Sequence, residues 1–215
     1  MSVPEPTIQI VDDDELFLAS ISRLLRASGF AVTTFSSASD LLAARDADAP
    51  GCVLADLQMP GMNGLDLQAA LGRTSNPQPI LFLTGHGDIP STVRAMRAGA
   101  VDFLEKFAPK EHLLDAVTRA LARDARDRAE RARLRELRAR FDTLTARERE
   151  VLSHVVRGRL NKQIAADLGV HERTVKRHRT AVTTKLGVQS VAELTQLSLE
   201  GGIFTAPSST FPKGL

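Results

Sequence analysis

The stretch CVLADLQMPGMNG at residues 52–64 joins an apolar run to a helical pattern through a short loop. Its first four residues are typical of a buried strand, and helical spacing begins at Gly64. The same alternation continues on both sides of this stretch. Strands are predicted at residues 8–11, 31–35, 52–55, 80–83 and 101–104, and helices at 16–28, 38–44, 64–71, 91–98 and 111–121. Strands that alternate with helices in this way predict a doubly wound parallel sheet, the (βα)5 form of an α/β domain.

The chain is long enough for a second domain. A length of 215 residues exceeds that of a small single domain. We predict an α/β domain at residues 1–122, a helical linker at 123–141, an all-α domain at 142–202 and a flexible tail at 203–215. In the linker, Leu134, Leu137 and Phe141 follow helical spacing. This apolar stripe packs either on the second domain or against a second copy of the chain.

The composition argues against membrane insertion and export. No stretch approaches the roughly 18 apolar residues that a membrane span requires. Residues 1–10 lack the basic and apolar regions of a secretory signal. The single cysteine, Cys52, lies in an apolar run and is interpreted as a buried, inert thiol. We therefore expect a soluble, cytoplasmic protein with no membrane partner.

Charge is divided unevenly along the chain. Residues 1–122 contain nine basic and fifteen acidic residues, whereas residues 123–215 contain nineteen basic and eleven acidic ones. A second half with net positive charge predicts a polyanionic partner.

Polar residues follow four of the predicted strands. Asp12 and Asp13 follow the first strand, Asp56 the third, Thr84 the fourth and Lys106 the fifth. Ligands of a doubly wound sheet bind beyond the carboxyl ends of its strands, so these side chains are expected to converge. Crowded carboxylates repel one another unless a cation neutralises them, and hard oxygen ligands suit Mg²⁺. A carboxylate in such a cluster can attack a phosphoryl group that a lysine and a hydroxyl hold in place.

Motifs at these positions resemble the receiver domain of two-component response regulators over about residues 7–121. They are VDDD at 11–14, DLQMPGMNG at 56–64, LTGHGD at 83–88 and AGAVDFLEK at 98–106. The resemblance implies that Asp56 is the phosphoacceptor. It also implies a Mg²⁺ site formed by Asp12, Asp13, Asp56 and the carbonyl of Gln58.

The same resemblance assigns further residues. Thr84 and Lys106 would hold the phosphoryl group, and the ring of Phe103 would turn inward when the threonine shifts. The surface between residues 91 and 121 would form the dimer of the activated protein. His86 is interpreted as a loop residue within a glycine-rich segment and not as a phosphorylated or catalytic histidine.

The basic half begins with a capping-box pattern. Thr145 and Glu148 have the spacing that starts a helix, and further helices are predicted at 161–168 and 172–186 with Gly169 in the turn between them. The last of these helices carries five basic residues and one acidic residue. This is the order of a helix-turn-helix, whose second helix enters the major groove of DNA.

The basic half also resembles the LuxR-type four-helix domain over about residues 144–199. The matching motifs are LTAREREVL at 144–152, NKQIA at 161–165, TVKRH at 174–178 and KLGV at 185–188. The resemblance implies that base edges are contacted by Lys176, Arg177 and Thr180. It implies that DNA phosphates are approached by Lys162, Thr174 and Lys185. His178 is interpreted as a packing or phosphate-contacting residue, because no second histidine or cysteine lies at metal-ligand spacing.

A receiver domain followed by a LuxR-type domain is the organisation of the NarL/FixJ response regulators, and the chain is most similar in appearance to FixJ and StyR. The resemblance implies a DNA-binding transcriptional regulator and not an enzyme. A sensor histidine kinase would phosphorylate Asp56, and the phosphorylated protein would form a homodimer that binds double-stranded promoter DNA and contacts RNA polymerase.

The same residues are open to two other functions. A phosphohydrolase would use Asp56 as nucleophile, but such enzymes place a second aspartate two residues later, where this chain has Gln58. A third possibility keeps DNA binding and makes the first domain a scaffold that does not depend on phosphorylation.

The chain departs from the family patterns at two positions. Phe107 replaces the proline that usually follows the receiver lysine through a cis bond, so we predict a trans Lys106–Phe107 bond and weaker coupling of phosphorylation to dimerisation. His171 occupies the expected cap of the DNA-reading helix, where the family commonly has serine or threonine.

Overall fold

The protein divides into two compact units. A computed structural model describes residues 5–85 and 89–202. The division falls between Ala129 and Glu130. The tail predicted at 203–215 and the loop residue His86 lie outside the described residues.

The first unit alternates strands with helices, as the sequence predicts. Its elements are β1 (Thr7–Val11), α1 (Glu15–Ala27), β2 (Ala31–Phe35), α2 (Ala38–Ala44), β3 (Gly51–Asp56), α3 (Gly64–Gly72), β4 (Ile80–Thr84), α4 (Ile89–Arg97), β5 (Asp102–Glu105) and the first part of α5 (Lys110–Asp142). Within the described residues, five parallel strands form one sheet in the order β2-β1-β3-β4-β5. The predicted doubly wound α/β fold is confirmed.

The sheet is covered on both faces. One hydrophobic cluster joins alternate strand residues such as Ile8 and Leu54 to α1 and α5. Another joins the intervening residues, such as Val53 and Phe82, to α2, α3 and α4. A strand that is buried on both sides carries a continuous apolar run, which explains the composition of β3 and β4.

Gly64 allows α3 to begin close to the end of β3. A Cβ atom at this position would lie 2.4 Å from the carbonyl oxygen of Asp56. The amide of Gly64 donates to the carbonyl of Leu57 at 3.0 Å, and the Asn63 side chain caps the helix. The glycine at the end of the 52–64 stretch is therefore required for the loop that holds Asp56.

The helix predicted at 111–121 and the helical linker predicted at 123–141 form one continuous helix, α5, from Lys110 to Asp142. Residues 123–129 cluster with the first unit. The buried Asp124 accepts hydrogen bonds from the amide of Gly51 and from the Arg128 guanidinium, both at 2.9 Å. Arg128 in turn donates to the carbonyls of Asp48 and Ala49.

Removal of the Asp124 carboxylate is expected to destabilise the first unit. An Asp124→Ala variant leaves the Gly51 amide and the Arg128 guanidinium without their acceptor, so its free energy of unfolding should fall by about 1–3 kcal/mol. Urea unfolding of the full chain measures this change. The matched control is Asp127→Ala, which removes an exposed pair with Arg123 at 3.7 Å and should cost less than about 0.5 kcal/mol. Equal losses in the two variants would contradict the role of Asp124.

Cys52 is fully buried beneath α5, in the cluster that covers this face of the sheet. Burial, together with the nearby charge of Asp124, raises the pKa of its thiol to about 12. A thiol that stays protonated is a poor nucleophile, which agrees with its interpretation as an inert packing residue.

The second unit is helical. It contains the end of α5, then α6 (Ala146–Val155), α7 (Asn161–Leu168), α8 (Glu172–Leu186) and α9 (Val191–Glu200). Leu137 and Phe141 are buried in its core, together with residues such as Val151, Ile164 and Val175. Of the two arrangements open to the apolar stripe of α5, these residues therefore adopt the first, packing on the second domain.

The ends of the helices follow the predicted signals. Thr145 and Glu148 form the capping box at the start of α6. Gly169 ends α7 in the left-handed region at φ 63°, which glycine adopts without the strain of a side chain. His171 stands at the N-cap of α8 and makes no side-chain capping bond there. Among the described residues, no helix combines the length and the apolar character needed to cross a bilayer.

Candidate functional sites

The acidic residues predicted to converge lie together at the carboxyl end of the sheet. Asp12 follows β1, Asp56 ends β3, and these two strands are neighbours. Carboxylate oxygens of Asp12, Asp13 and Asp56 all lie within 4.8 Å of one another. Asp12 and Asp56 are buried and Asp13 is exposed. A set of carboxylate oxygens open to solvent on one side fits a hard cation such as Mg²⁺.

Lys106 completes this cluster. Its ammonium lies 2.6 Å from Oδ2 of Asp12 and 3.0 Å from Oδ2 of Asp56. It also lies 4.5 Å from the ring centroid of Phe17. The lysine therefore supplies positive charge directly at the two buried carboxylates.

Burial and charge act against each other at this site. Burial raises the pKa of Asp12, although the hydrogen bond from Lys106 opposes this effect. Burial of Lys106 favours its neutral form, but hydrogen bonds to Asp12 and Asp56 outweigh it and raise the pKa of the ammonium. The lysine is consequently held in its charged form.

The two oxygens of Asp56 have different surroundings. Oδ2 accepts the hydrogen bond from Lys106. Oδ1 accepts the amide of Leu57 at 2.6 Å and, at 3.4 Å, that of Gln58. These amides come from the loop that follows β3, so the local chain orients the carboxylate towards the end of the sheet.

The other residues predicted for this site lie around the cluster. Thr84 is buried at the end of β4, and its carbonyl accepts the amide of Lys106 at 2.9 Å. Gln58 is exposed in the loop after β3. Phe103 is half-buried in β5 with its ring centroid 6.1 Å from that of Phe82.

The loop after β5 begins with a trans bond. The Lys106–Phe107 peptide bond is trans, which confirms the prediction made from the missing proline. The Phe107 side chain is 90% exposed. Lys106 nevertheless reaches both carboxylates, because its long stem extends back over the end of the sheet.

A basic surface is formed by α8. Lys176, Arg177 and Thr180 are exposed, whereas Val175, Val182 and Leu186 are buried on the opposite side. Lys162 is exposed near the start of α7, and Thr174 is half-buried. The helix thus has one face for packing and another that is open to a ligand.

Arg179 links the two helices of the helix-turn-helix. Its guanidinium donates to the side-chain oxygen of Asn161 at 2.7 Å. In the sequence, this arginine is one of the five basic residues of α8, and no separate role was predicted for it. Its position three residues before Val182 was the only available signal that it faces α7 and not solvent.

Lys185 has a contact that its position in the sequence did not reveal. Its ammonium donates to Oε2 of Glu148 at 2.7 Å and to the carbonyl of Thr143 at 3.1 Å. The lysine therefore connects the end of α8 to the capping box of α6 through these hydrogen bonds. This internal pair competes with the phosphate contact predicted for Lys185, which stays a prediction.

The Lys185–Glu148 pair predicts a pH-dependent stability. Lys185, together with the Thr145 amide, holds the pKa of Glu148 below its usual value of 4.5. A carboxyl group with a lowered pKa stabilises the fold above its unfolded pKa, and that stabilisation is lost as pH falls through the folded pKa. In Lys185→Ala, the second unit should therefore lose about 1 kcal/mol at pH 7. This deficit should shrink below pH 4.

Calorimetry of the full chain between pH 7 and pH 3 checks this expectation. Lys162→Ala is the matched control, because it removes the same charge from a side chain for which no ion pair is found among the described residues. Its difference from the parent protein should not change with pH. A deficit in Lys185→Ala that stays constant down to pH 3 would mean that Glu148 is not its partner.

Comparison with known proteins agrees with this architecture. Residues 8–118 match the family model of the response regulator receiver domain. Residues 142–198 match that of the luxR family of bacterial regulatory proteins. The chain therefore belongs to the two-component response regulators that regulate transcription through a LuxR-type DNA-binding domain. This class consists of regulators and not of enzymes, which answers the phosphohydrolase alternative.

Individual relatives extend over nearly the whole chain. Nodulation protein W of Bradyrhizobium diazoefficiens is 43% identical, over 90% of this chain and 86% of the relative. FixJ of Rhizobium meliloti is 41% identical, over 91% of this chain and 96% of the relative. Among solved structures, the response regulator StyR has a TM-score of 0.80 and 45% identity, over 91% of this chain and 99% of StyR. These likenesses confirm the predicted resemblance to FixJ and StyR.

Proposed function

We propose that phosphorylation of Asp56 by a sensor histidine kinase promotes dimerisation of this regulator and its binding to promoter DNA. The observation that carries the proposal is the contact of the Lys106 ammonium with Asp12 and Asp56 inside a cluster of three carboxylates. A solvated helix cap or a surface ion pair would not need two buried carboxylates, Asp12 and Asp56, in contact with one lysine. Phosphoryl transfer to Asp56 does need such a group of residues.

The phosphoryl transfer follows from these groups. A carboxylate oxygen of Asp56 forms a bond to phosphorus while the bond from phosphorus to the donor imidazole breaks. The imidazole keeps the electron pair of that bond. The Lys106 ammonium and the Thr84 hydroxyl hold the phosphoryl oxygens. Asp12, Asp13, Asp56 and the Gln58 carbonyl would hold Mg²⁺, which would supply positive charge to neutralise those oxygens.

Dimerisation is assigned to the α4 side of the receiver domain. Ile89, Val93 and Met96 on α4 are 79%, 41% and 43% exposed. They follow the i, i+4, i+7 spacing of one helix face, so they form an apolar stripe that a second copy can cover. We assign to Phe103, on β5 beside β4, a ring that turns when Thr84 shifts and so alters this surface.

DNA binding is assigned to the exposed face of α8. Lys176, Arg177 and Thr180 lie on the side of the helix opposite its buried stripe. In a helix-turn-helix the second helix enters the major groove, where such side chains read base edges. Lys162 and Thr174 are assigned to phosphates. Two DNA-binding units in a dimer match paired half-sites, and RNA polymerase is the proposed downstream partner.

The test uses the full chain and a pool of random-sequence duplexes. Duplexes are selected by the protein with and without Mg²⁺ and acetyl phosphate, and the affinity and dimer content of each state are then measured. Phosphorylation should raise both the affinity for selected duplexes and the dimer fraction. Unchanged affinity despite complete phosphorylation would favour the scaffold alternative instead.

A further inference from the structure

The Lys106 ammonium has a partner that takes no part in metal or phosphoryl binding. Its nitrogen lies 4.5 Å from the ring centroid of Phe17, while its two other contacts are the carboxylates of Asp12 and Asp56. The lysine side chain is only 13% exposed. At this distance the ring attracts the cation through its negative face, and the attraction increases where water is excluded.

The place of Phe17 is determined by the start of α1. The side chain of Asp14 caps this helix and accepts the amide of Phe17 at 3.0 Å. The ring is half-buried and packs against the hydrophobic cluster beneath α1 and α5. It also lines a groove of about 150 Å³ that Lys106 lines as well. The ring is therefore a fixed surface beside a flexible side chain.

Apart from the two carboxylates and the Phe17 ring, few groups restrain the lysine side chain. Its backbone amide is held by the carbonyl of Thr84 at 2.9 Å, which sets the Cα position. From the Cα atom to the ammonium the side chain is a flexible four-carbon stem with many rotamers. The next residue, Phe107, is 90% exposed, so it offers little packing to restrain the lysine. Of the contacts described for the ammonium, the Phe17 ring is the one that remains when the carboxylates are engaged elsewhere.

We propose that Phe17 is a positioning residue for phosphoryl transfer, whose ring holds the Lys106 ammonium over the Asp56 carboxylate. This inference rests on the proposed function, because it assumes that Asp56 is phosphorylated. The ring is assigned no direct contact with the phosphoryl group. The ring limits the number of orientations open to the lysine side chain. Less conformational freedom is then lost when the ammonium binds the phosphoryl oxygens.

Phosphorylation of the full chain by acetyl phosphate and Mg²⁺ provides the test. Phe17→Leu keeps apolar volume but removes the ring, and its phosphorylation rate constant should fall about three- to tenfold. Phe17→Trp keeps a ring and should restore the rate to within about twofold. The matched control is Leu24→Val on the same helix, which lines the same groove and does not contact the ammonium. Its rate should equal that of the parent protein.

A double-mutant cycle separates positioning from simple packing. In a Lys106→Met background the ammonium is absent, so Phe17→Leu should cause no further decrease in rate. An equal decrease in both backgrounds would make Phe17 a structural residue and overturn the inference, as would a Phe17→Leu rate equal to that of the parent. If the parent protein is not labelled at all, the proposed function itself fails and the inference fails with it.

Discussion

An Asp56→Asn variant is expected to take up no phosphoryl group from acetyl phosphate in the presence of Mg²⁺, whereas the parent protein forms an acid-stable, base-labile acyl phosphate. The amide is a poor nucleophile and carries no negative charge, so both the bond to phosphorus and the attraction of Lys106 are lost. Mass spectrometry of the intact protein measures the uptake directly. We expect a complete loss, the largest effect of any single substitution considered for this chain.

The control for this experiment is Asp66→Asn. Asp66 is an exposed aspartate in the first turn of α3, ten residues beyond Asp56, and it makes no contact with the carboxylate cluster. The Asp66→Asn variant should be labelled on Asp56 as fully as the parent protein. Labelling of Asp56→Asn to the same extent as Asp66→Asn would assign the phosphoacceptor to another residue.

The second large effect concerns DNA. Arg177→Ala or Lys176→Ala should weaken the preference for particular base pairs by about 1–3 kcal/mol, because these side chains lie on the exposed face of α8 that is proposed to read bases. Lys162→Ala should instead weaken binding to all sequences and reduce the slope of log affinity against log salt by about 1. Binding to a selected duplex and to its single-base variants, over a range of salt concentrations, distinguishes the two classes.

Arg135→Ala is the matched control for charge. Arg135 is exposed on α5, outside the helix-turn-helix, and its removal changes the net charge by the same amount. Its base preference should match that of the parent protein. If Arg135, Lys162 and Arg177 variants have the same base preferences and salt slopes, the division between base and phosphate contacts is wrong.

Local sequence patterns were enough to predict most of the fold. The apolar runs of β3 and β4 and the helical spacing between them depend on neighbouring residues, and such periodicity predicts each element on its own. The capping box at Thr145 and the turn at Gly169 are also local signals, and both occur where they were predicted. The order of these elements, with polar residues at strand ends, was sufficient to predict that Asp12 and Asp56 converge.

Local sequence patterns are least informative in α5. Its composition favours helix throughout, so the sequence contained no signal for where one unit ends and the next begins. Asp124 looked like one of many charged residues of a solvated helix. It is instead buried against the amide of Gly51, 73 residues earlier in the chain. Only the packing of the helix on the sheet distinguishes this aspartate from Asp127.

The sequence by itself determined the class of each domain and which residues stand at the strand ends, because these follow from local periodicity and from short motifs. Tertiary structure alone decided which groups contact the ammonium groups of Lys106 and Lys185. The contacts of Lys106 with Phe17 and of Lys185 with Glu148 join residues 89 and 37 positions apart. Such contacts depend on which elements pack side by side, and on the burial that favours pairing of a charge, neither of which a linear pattern contains.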